Sequence, residues 1–226
     1  MELKSVVPWG RSAAEYKRMF KLEFETFDGL KVLGVGDGPA SFNAEMSRSG
    51  LDVVSVDPLY QFSREEIAAR IKEVTPWMET QLFELADQYI WEEFEDVAAL
   101  VRARLSSMDT FLADYHAGKK QGRYIYGALP KLPIESASFD LALSSHLLFL
   151  YDDMLDQEFH LRSLLALTDL AAEARVFPIV NRQGEVSQFS NATIQGLEEA
   201  GRKCSLERVE YRFQKGADMM LRINRR

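Results

Sequence analysis

The chain has 226 residues, 46% hydrophobic and 11% aromatic, with a formal net charge of -8. That length supports one domain with a filled core, and the acidic balance argues against nucleic-acid and anionic-membrane surfaces, which need clustered Lys and Arg. The single cysteine, Cys204, excludes an internal disulfide framework and a cysteine-cluster metal site.

No apolar run reaches transmembrane length, and the opening MELKSVVPWG lacks the apolar stretch of a secretory signal, so a cytoplasmic location is expected. Ser12 and Glu15 have capping-box spacing, with Tyr16, Met19, Phe20 and Phe24 at helical steps behind them. This predicts an amphipathic helix. LKVLGV predicts a buried strand, SFNAEMSRSG a short helix closed by Gly50, and LDVVSVD a second strand.

After Tyr60 a second capping box, Ser63 with Glu66, opens a helical stretch that carries Ile67, Ile71 and Val74 on one face and is interrupted by Pro76. Val97, Val101, Leu105, Met108, Leu112 and Tyr115 alternate steps of three and four, which predicts a long helix stopped near Gly118. Residues 62–118 thus form a helical insertion between the second and third strands. Its 12 acidic and 5 basic residues leave a net of -7, most of the protein's charge excess. Two readings fit: an acidic solvated face, or a lid beside the carboxyl edge of the sheet. Trp77, Tyr89, Trp91 and Phe94 would line such a lid or pack into the core.

GRYIYG, FDLALSS and ARVFPIV predict three further strands, with a helix around Leu155 to Glu173 between the last two. A helix near Asn191 to Ala200 follows, then the strands CSLERVEYRF and ADMMLRIN, joined by a short turn containing Gly216. Strands alternating with helices predict an α/β fold with a mostly parallel sheet covered on both faces, and the final hairpin predicts one antiparallel strand at its edge. The terminal RINRR reads as a solvated chain end.

Three glycines within Gly34 to Gly38 stand between the first strand and the next helix, where backbone can approach a ligand and helix N–H groups face negative charge. Asp57 ends the second strand, where a carboxylate either accepts both hydroxyls of a ribose or merely caps the next turn. Together they point to an adenosine-containing cofactor. A dinucleotide fingerprint fits poorly, because its third glycine falls on Pro39 or Ser41.

VLGVGDGPA resembles the first motif of class I S-adenosylmethionine (SAM)-dependent methyltransferases, with Gly36, Gly38 and Ala40 at its small-residue positions. VVSVDPLY resembles the family's second strand with its ribose-binding acid, and LPKLPIESASFDLALSSHLL resembles the segment running into its fourth strand. The resemblance covers nearly the whole chain outside the insertion. It implies a three-layer Rossmann-like fold as a single domain over 1–226, with a seven-stranded, mostly parallel sheet and an antiparallel C-terminal strand. It also implies SAM as cofactor, contacted by Gly36, Asp37, Gly38, Asp57, Pro58, Ala128, Leu129, Ser144 and, from the segment before the first helix, Arg11. Two positions depart from the family: Gly34 stands where an acid is usual, and no acid stands near Ala128.

Methyl transfer from a sulfonium is a direct displacement in which alignment and water exclusion dominate. Where the acceptor must lose a proton, His146 at the end of the fourth strand is the candidate base; capping of the strand end by the same residue is the alternative. Tyr151 would orient an acceptor or pack, His160 is expected to be structural, and His116 lies at the end of the insertion. Asp152, Asp153, Asp156 and Glu158 read as helix-start acids, and no metal is expected. The family's DPPY-type signature is absent, which argues against nucleic-acid methylation and for a small-molecule substrate. A non-catalytic SAM-binding or regulatory protein is the alternative; a nicotinamide-dependent oxidoreductase rests on fold analogy alone.

Overall fold

The computed structural model describes residues 7–24, 29–134 and 138–225. Helix α1 (Ala13–Phe20) precedes β1 (Lys31–Val35), α2 (Phe42–Arg48) and β2 (Asp52–Val56). The insertion supplies α3 (Arg64–Glu84) and α4 (Val97–Lys120), followed by β3 (Tyr124–Ile125), β4 (Phe139–Ser145), α5 (Gln157–Leu170) and β5 (Ala171–Phe177). The chain closes with α6 (Ser190–Glu199), β6 (Arg202–Arg208) and β7 (Met219–Arg225).

The strands form one seven-stranded sheet in the order β3-β2-β1-β4-β5-β7-β6. All pairs from β3 to β5 are parallel, and β7 runs antiparallel to both β5 and β6. The reversed strand therefore lies inside the sheet and not at its edge, and residues 209–218 form a longer connection than the short turn expected. RINRR is corrected too: Ile223 is fully buried, and Arg222 pairs with Glu173 and Glu207. It is part of an interior strand; Arg226 lies outside the described residues.

Alternation along the strands feeds two cores. Val32, Leu141 and Leu143 face a cluster with α1, α2 and the first half of α4, whereas Leu33, Val35 and Ala142 face Leu164, Leu167 and Leu197 of α5 and α6. A third cluster joins α3 to α4 through Ile67, Ile71, Phe111 and Tyr115. Both capping boxes are present, at Ser12 and Ser63. Pro76 does not break its helix; α3 continues through it to Glu84. Gly118 does not stop α4 either, since the helix runs to Lys120. A Cβ there would lie 2.4 Å from the Tyr124 ring, so the glycine serves close packing of helix on strand. The Glu135–Ala137 part of the fourth-strand motif lies outside the described residues.

Candidate functional site

The parallel strands β1, β2 and β4 end on one edge, and their following residues meet there. Gly36 and Gly38 have φ of +73° and +53°, the left-handed region that glycine enters without strain. A Cβ on Gly36 would meet Leu147 Cδ2 at 2.5 Å, but nothing lies within 4 Å of one built on Gly38. The turn thus leaves open space above Gly38.

Asp57 fixes this turn from the neighbouring strand. Its Oδ2 accepts from the Gly38 N–H at 2.8 Å and its Oδ1 from the Leu59 N–H at 2.7 Å. The residue therefore caps the following turn, Pro58–Gln61, and also braces the glycine loop. Tyr60, in the same turn, donates from its hydroxyl to the Gly38 carbonyl at 2.8 Å. Burial raises the Asp57 carboxyl to about 6, against the opposing pull of the two N–H donors.

Asp37 is the second buried acid. It accepts from the Tyr16 hydroxyl at 2.8 Å and the Ser55 hydroxyl at 2.6 Å. A Cβ built on Gly34 would lie 1.9 Å from Asp37 Oδ2. The carboxylate absent at position 34 is thus replaced in space by one three residues later. Burial raises Asp37 to about 6, with Asp57 adding to the rise and the two hydroxyl donors opposing it.

At the end of β4, Ser144 is fully buried, and its Oγ has no partner among the described residues. Ser145 Oγ lies 2.8 Å from His146 Nδ1, and the His146 N–H donates to the Phe177 carbonyl at 2.7 Å. His146 has a φ of +53°, unusual for a residue with a side chain. Burial first, then the charges of Arg11 and Arg104, hold its imidazole well below its ordinary pKa. It stands neutral at pH 7.

Arg11 is held beside the glycine turn through its carbonyl, which accepts from the Ser41 N–H at 3.0 Å. Next to it, Arg104 of α4 donates to both Glu15 oxygens at 2.6 Å and to the Tyr211 hydroxyl at 3.2 Å. Ala128 is exposed and Leu129 buried, in the turn after β3. The edge therefore gathers Gly36, Asp37, Gly38, Asp57, Pro58, Ser144, His146 and Arg11. No acid stands at Ala128, as the sequence shows.

The remaining candidates have local explanations. The His160 Nδ1–H donates to the Asp156 carbonyl at 2.6 Å, and its ring stacks on Phe149, a structural role. Asp156 caps α5, Asp153 pairs with Arg182, and Asp152 accepts from the Gln188 N–H. His116 is exposed, and Tyr151 lies beneath Arg182. Tyr89, Trp91 and Phe94 gather on Phe213, and Trp77 is exposed.

Reading the sequence missed Tyr16, Ser55, Tyr60, Arg104 and Tyr211. Arg104 carried a signal: it falls between Val101 and Met108 on the apolar seam of α4, where a charge requires a partner. Tyr211, in an irregular connection, carried none.

With β7 reversed within an otherwise parallel sheet, and a glycine turn braced by an acid from the adjacent strand, the architecture is the seven-stranded, mostly parallel α/β sheet with an antiparallel C-terminal strand that the sequence resemblance implies. No protein-family model matches the chain. The chain belongs to the family of the uncharacterized protein MJ0045 of Methanocaldococcus jannaschii, with which it is 34% identical over 226 residues, 100% of this chain and 99% of the relative. Among solved structures it is distantly similar to magnesium protoporphyrin IX methyltransferase from Synechocystis PCC 6803 with bound S-adenosylhomocysteine (SAH). That match has a TM-score of 0.49 and 12% identity over 89% of this chain and 76% of the other. A putative SAM-dependent methyltransferase from Methanococcus maripaludis matches at a TM-score of 0.44 and 10% identity, over 94% of this chain and 83% of the other.

Proposed function

We propose that this protein is an enzyme that binds SAM and transfers its methyl group to a small-molecule acceptor. The observation that carries this reading is the Gly38–Asp57 pair: a left-handed glycine with open space above it, braced by a carboxylate from the next strand. Each Asp57 oxygen accepts one N–H and keeps a lone pair for a ribose hydroxyl. Pro58 and Leu129 would flank the adenine, with Ala128 at the rim. Gly36, Asp37 and Ser144 would face the methionine end, where the buried Ser144 hydroxyl has no partner among the described residues.

When bound, SAM supplies an electrophilic methyl on a sulfonium. The chain's own contribution is alignment, desolvation and, at His146, a place for a proton. With Nδ1–H donating to Ser145 Oγ, Nε2 holds the lone pair that receives the acceptor's proton, and the lowered imidazole pKa keeps the ring neutral at pH 7. Tyr89, Trp91 and Phe94, between α3 and α4, pack on Phe213, so the insertion acts in this reading as a wall and not as a closing lid.

The alternative, a SAM-binding protein without turnover, drew support from the missing acid at position 34. Asp37 standing in that space weakens it. Calorimetric titration with SAM, SAH and NAD decides the cofactor, with Asp57→Ala as control. Binding of SAM and SAH that is lost in the variant supports the reading, and binding of NAD alone or of none of them rejects it.

A further inference from the structure

Arg11 and Arg104 stand together with the Glu15 carboxylate in the space between α1, α4 and the end of β4. Glu15 is fully committed. It accepts from Arg104, from the Tyr211 hydroxyl at 3.0 Å and from the Ser12 N–H and hydroxyl at 3.0 and 3.2 Å. Burial raises its pKa, but Arg104 outweighs this and keeps it ionised. Arg11 has no such partner among the described residues. Its Nε is buried without a hydrogen bond, and one terminal nitrogen reaches only the Trp9 carbonyl, at 3.4 Å. Burial, and then repulsion from Arg104, lower its pKa.

A half-buried guanidinium whose nearest carboxylate, Glu15, is already committed to Arg104 is costly, and the cost falls when an anion binds. The location says which anion. Asp57 ends β2, on one side of β1, whereas His146 follows β4, Phe177 ends β5 and Tyr211 leads into β7, on the other side. Arg11 adjoins Ser12, whose N–H meets Glu15; Glu15 and Arg104 meet at the Tyr211 hydroxyl, and the Tyr211 ring packs on Phe177, which in turn meets the His146 ring, so that the charge of Arg11 is felt at both Tyr211 and His146. It therefore faces the half of the site away from the ribose-binding carboxylate, where an acceptor would lie against His146. The planar guanidinium fork, with its Nε–H free, matches two oxygens of a carboxylate.

We propose that Arg11 anchors a carboxylate on the methyl acceptor, placing the acceptor's reacting group beside His146. This rests on the methyl-transfer reading above. It also moves Arg11 from the cofactor, where the resemblance put it, to the acceptor.

The test uses the full-length protein, Arg11→Met and Arg11→Lys, with two pairs of probes. SAH and 5′-methylthioadenosine share the adenosine thioether, but only the first has the amino-acid carboxylate. Benzoate and benzamide share shape, but only the first is an anion. Benzoate is expected to raise the melting temperature of the SAH-saturated wild type and benzamide to leave it unchanged. Arg11→Met should lose the benzoate response while keeping its SAH affinity within about twofold. Arg11→Lys keeps the charge without the fork, so its benzoate affinity should fall roughly tenfold; it also serves if Arg11→Met does not fold. Free Arg11→Met should melt above wild type, because it relieves the repulsion between Arg11 and Arg104 over one shared carboxylate.

A wild type indifferent to benzoate overturns the proposal. So does an Arg11→Met that weakens SAH about tenfold or more and spares 5′-methylthioadenosine, which would return Arg11 to the cofactor. Failure of the wild type to bind SAH rejects the methyl-transfer reading instead. The benzoate comparison is then made on the ligand-free proteins and still decides whether Arg11 takes a carboxylate.

Discussion

Asp37 places its carboxylate where a side chain on residue 34 would stand, 1.9 Å from a Cβ built on Gly34. The two positions are therefore mutually exclusive: a side chain at 34 needs a different residue at 37. Gly34→Ala is expected to displace the Asp37 carboxylate from Tyr16 and Ser55 and to cost about 2–3 kcal/mol. Adding Asp37→Gly should recover part of that loss. Urea unfolding of the two single variants and the double variant measures the coupling, and additive losses would count against a shared space.

The two acids of the glycine turn give the site its pH dependence. The fold raises both carboxyls from 3.8 to about 6. A raised carboxyl pKa means that folding favours the protonated form, so the contribution of these groups to stability is present below about pH 4 and lost as pH rises through about 6. Ligand binding runs the other way. An ionised Asp57 accepts more hydrogen bonds, so SAH affinity should fall as pH drops below about 6. Calorimetry from about pH 5 to 8 reads this, and Asp57→Asn should remove most of the slope. An affinity independent of pH in the wild type would contradict the role given to Asp57.

Within the Asp37 pair, the Tyr16 and Ser55 hydroxyls pull the carboxyl down against burial. Ser55→Ala and Tyr16→Phe should each push the Asp37 pKa further up, and Asp37 carboxyl shifts followed by NMR during titration would show it. No movement in either variant would mean that those hydroxyls do not hold the carboxylate.

The Glu15–Arg104 pair is asymmetric because Arg11 stands beside it. Glu15→Gln leaves two guanidinium groups without a carboxylate and should cost about 3–5 kcal/mol. Arg104→Met leaves Glu15 with Ser12, Tyr211 and the nearby Arg11, and should cost less. Thermal melts rank the two, and the reverse order would show that Arg11 does not share this charge balance.

His146 combines a side-chain role with a backbone demand. At a φ of +53°, glycine is favoured over alanine by about 1 kcal/mol, so His146→Gly should be the more stable of the two replacements. Neither should change SAH affinity by more than about twofold, since the proposed role of the ring is toward the acceptor and not the cofactor. A large loss of SAH binding would move His146 into the cofactor site.

Sequence alone settled the parts in which local pattern and burial agree. The strands around VLGV, VVSV and LALSS and the capping boxes at Ser12 and Ser63 are all set by periodicity or by side-chain caps within one turn. Pro76 and Gly118 misled because a helix terminator acts locally, and the tertiary packing of α3 and α4 outweighs a single weak position. Only the tertiary structure decided where β7 sits. Hairpin pairing is local, but the choice of which strand of the hairpin joins β5 depends on a buried face assembled from distant segments. The same holds for the charges: that Asp37 fills the space of residue 34, and that Arg104 takes Glu15 and leaves Arg11 Nε without a hydrogen bond among the described residues, depends on directions of side chains brought together from α1, α4 and the turns after β1 and β4.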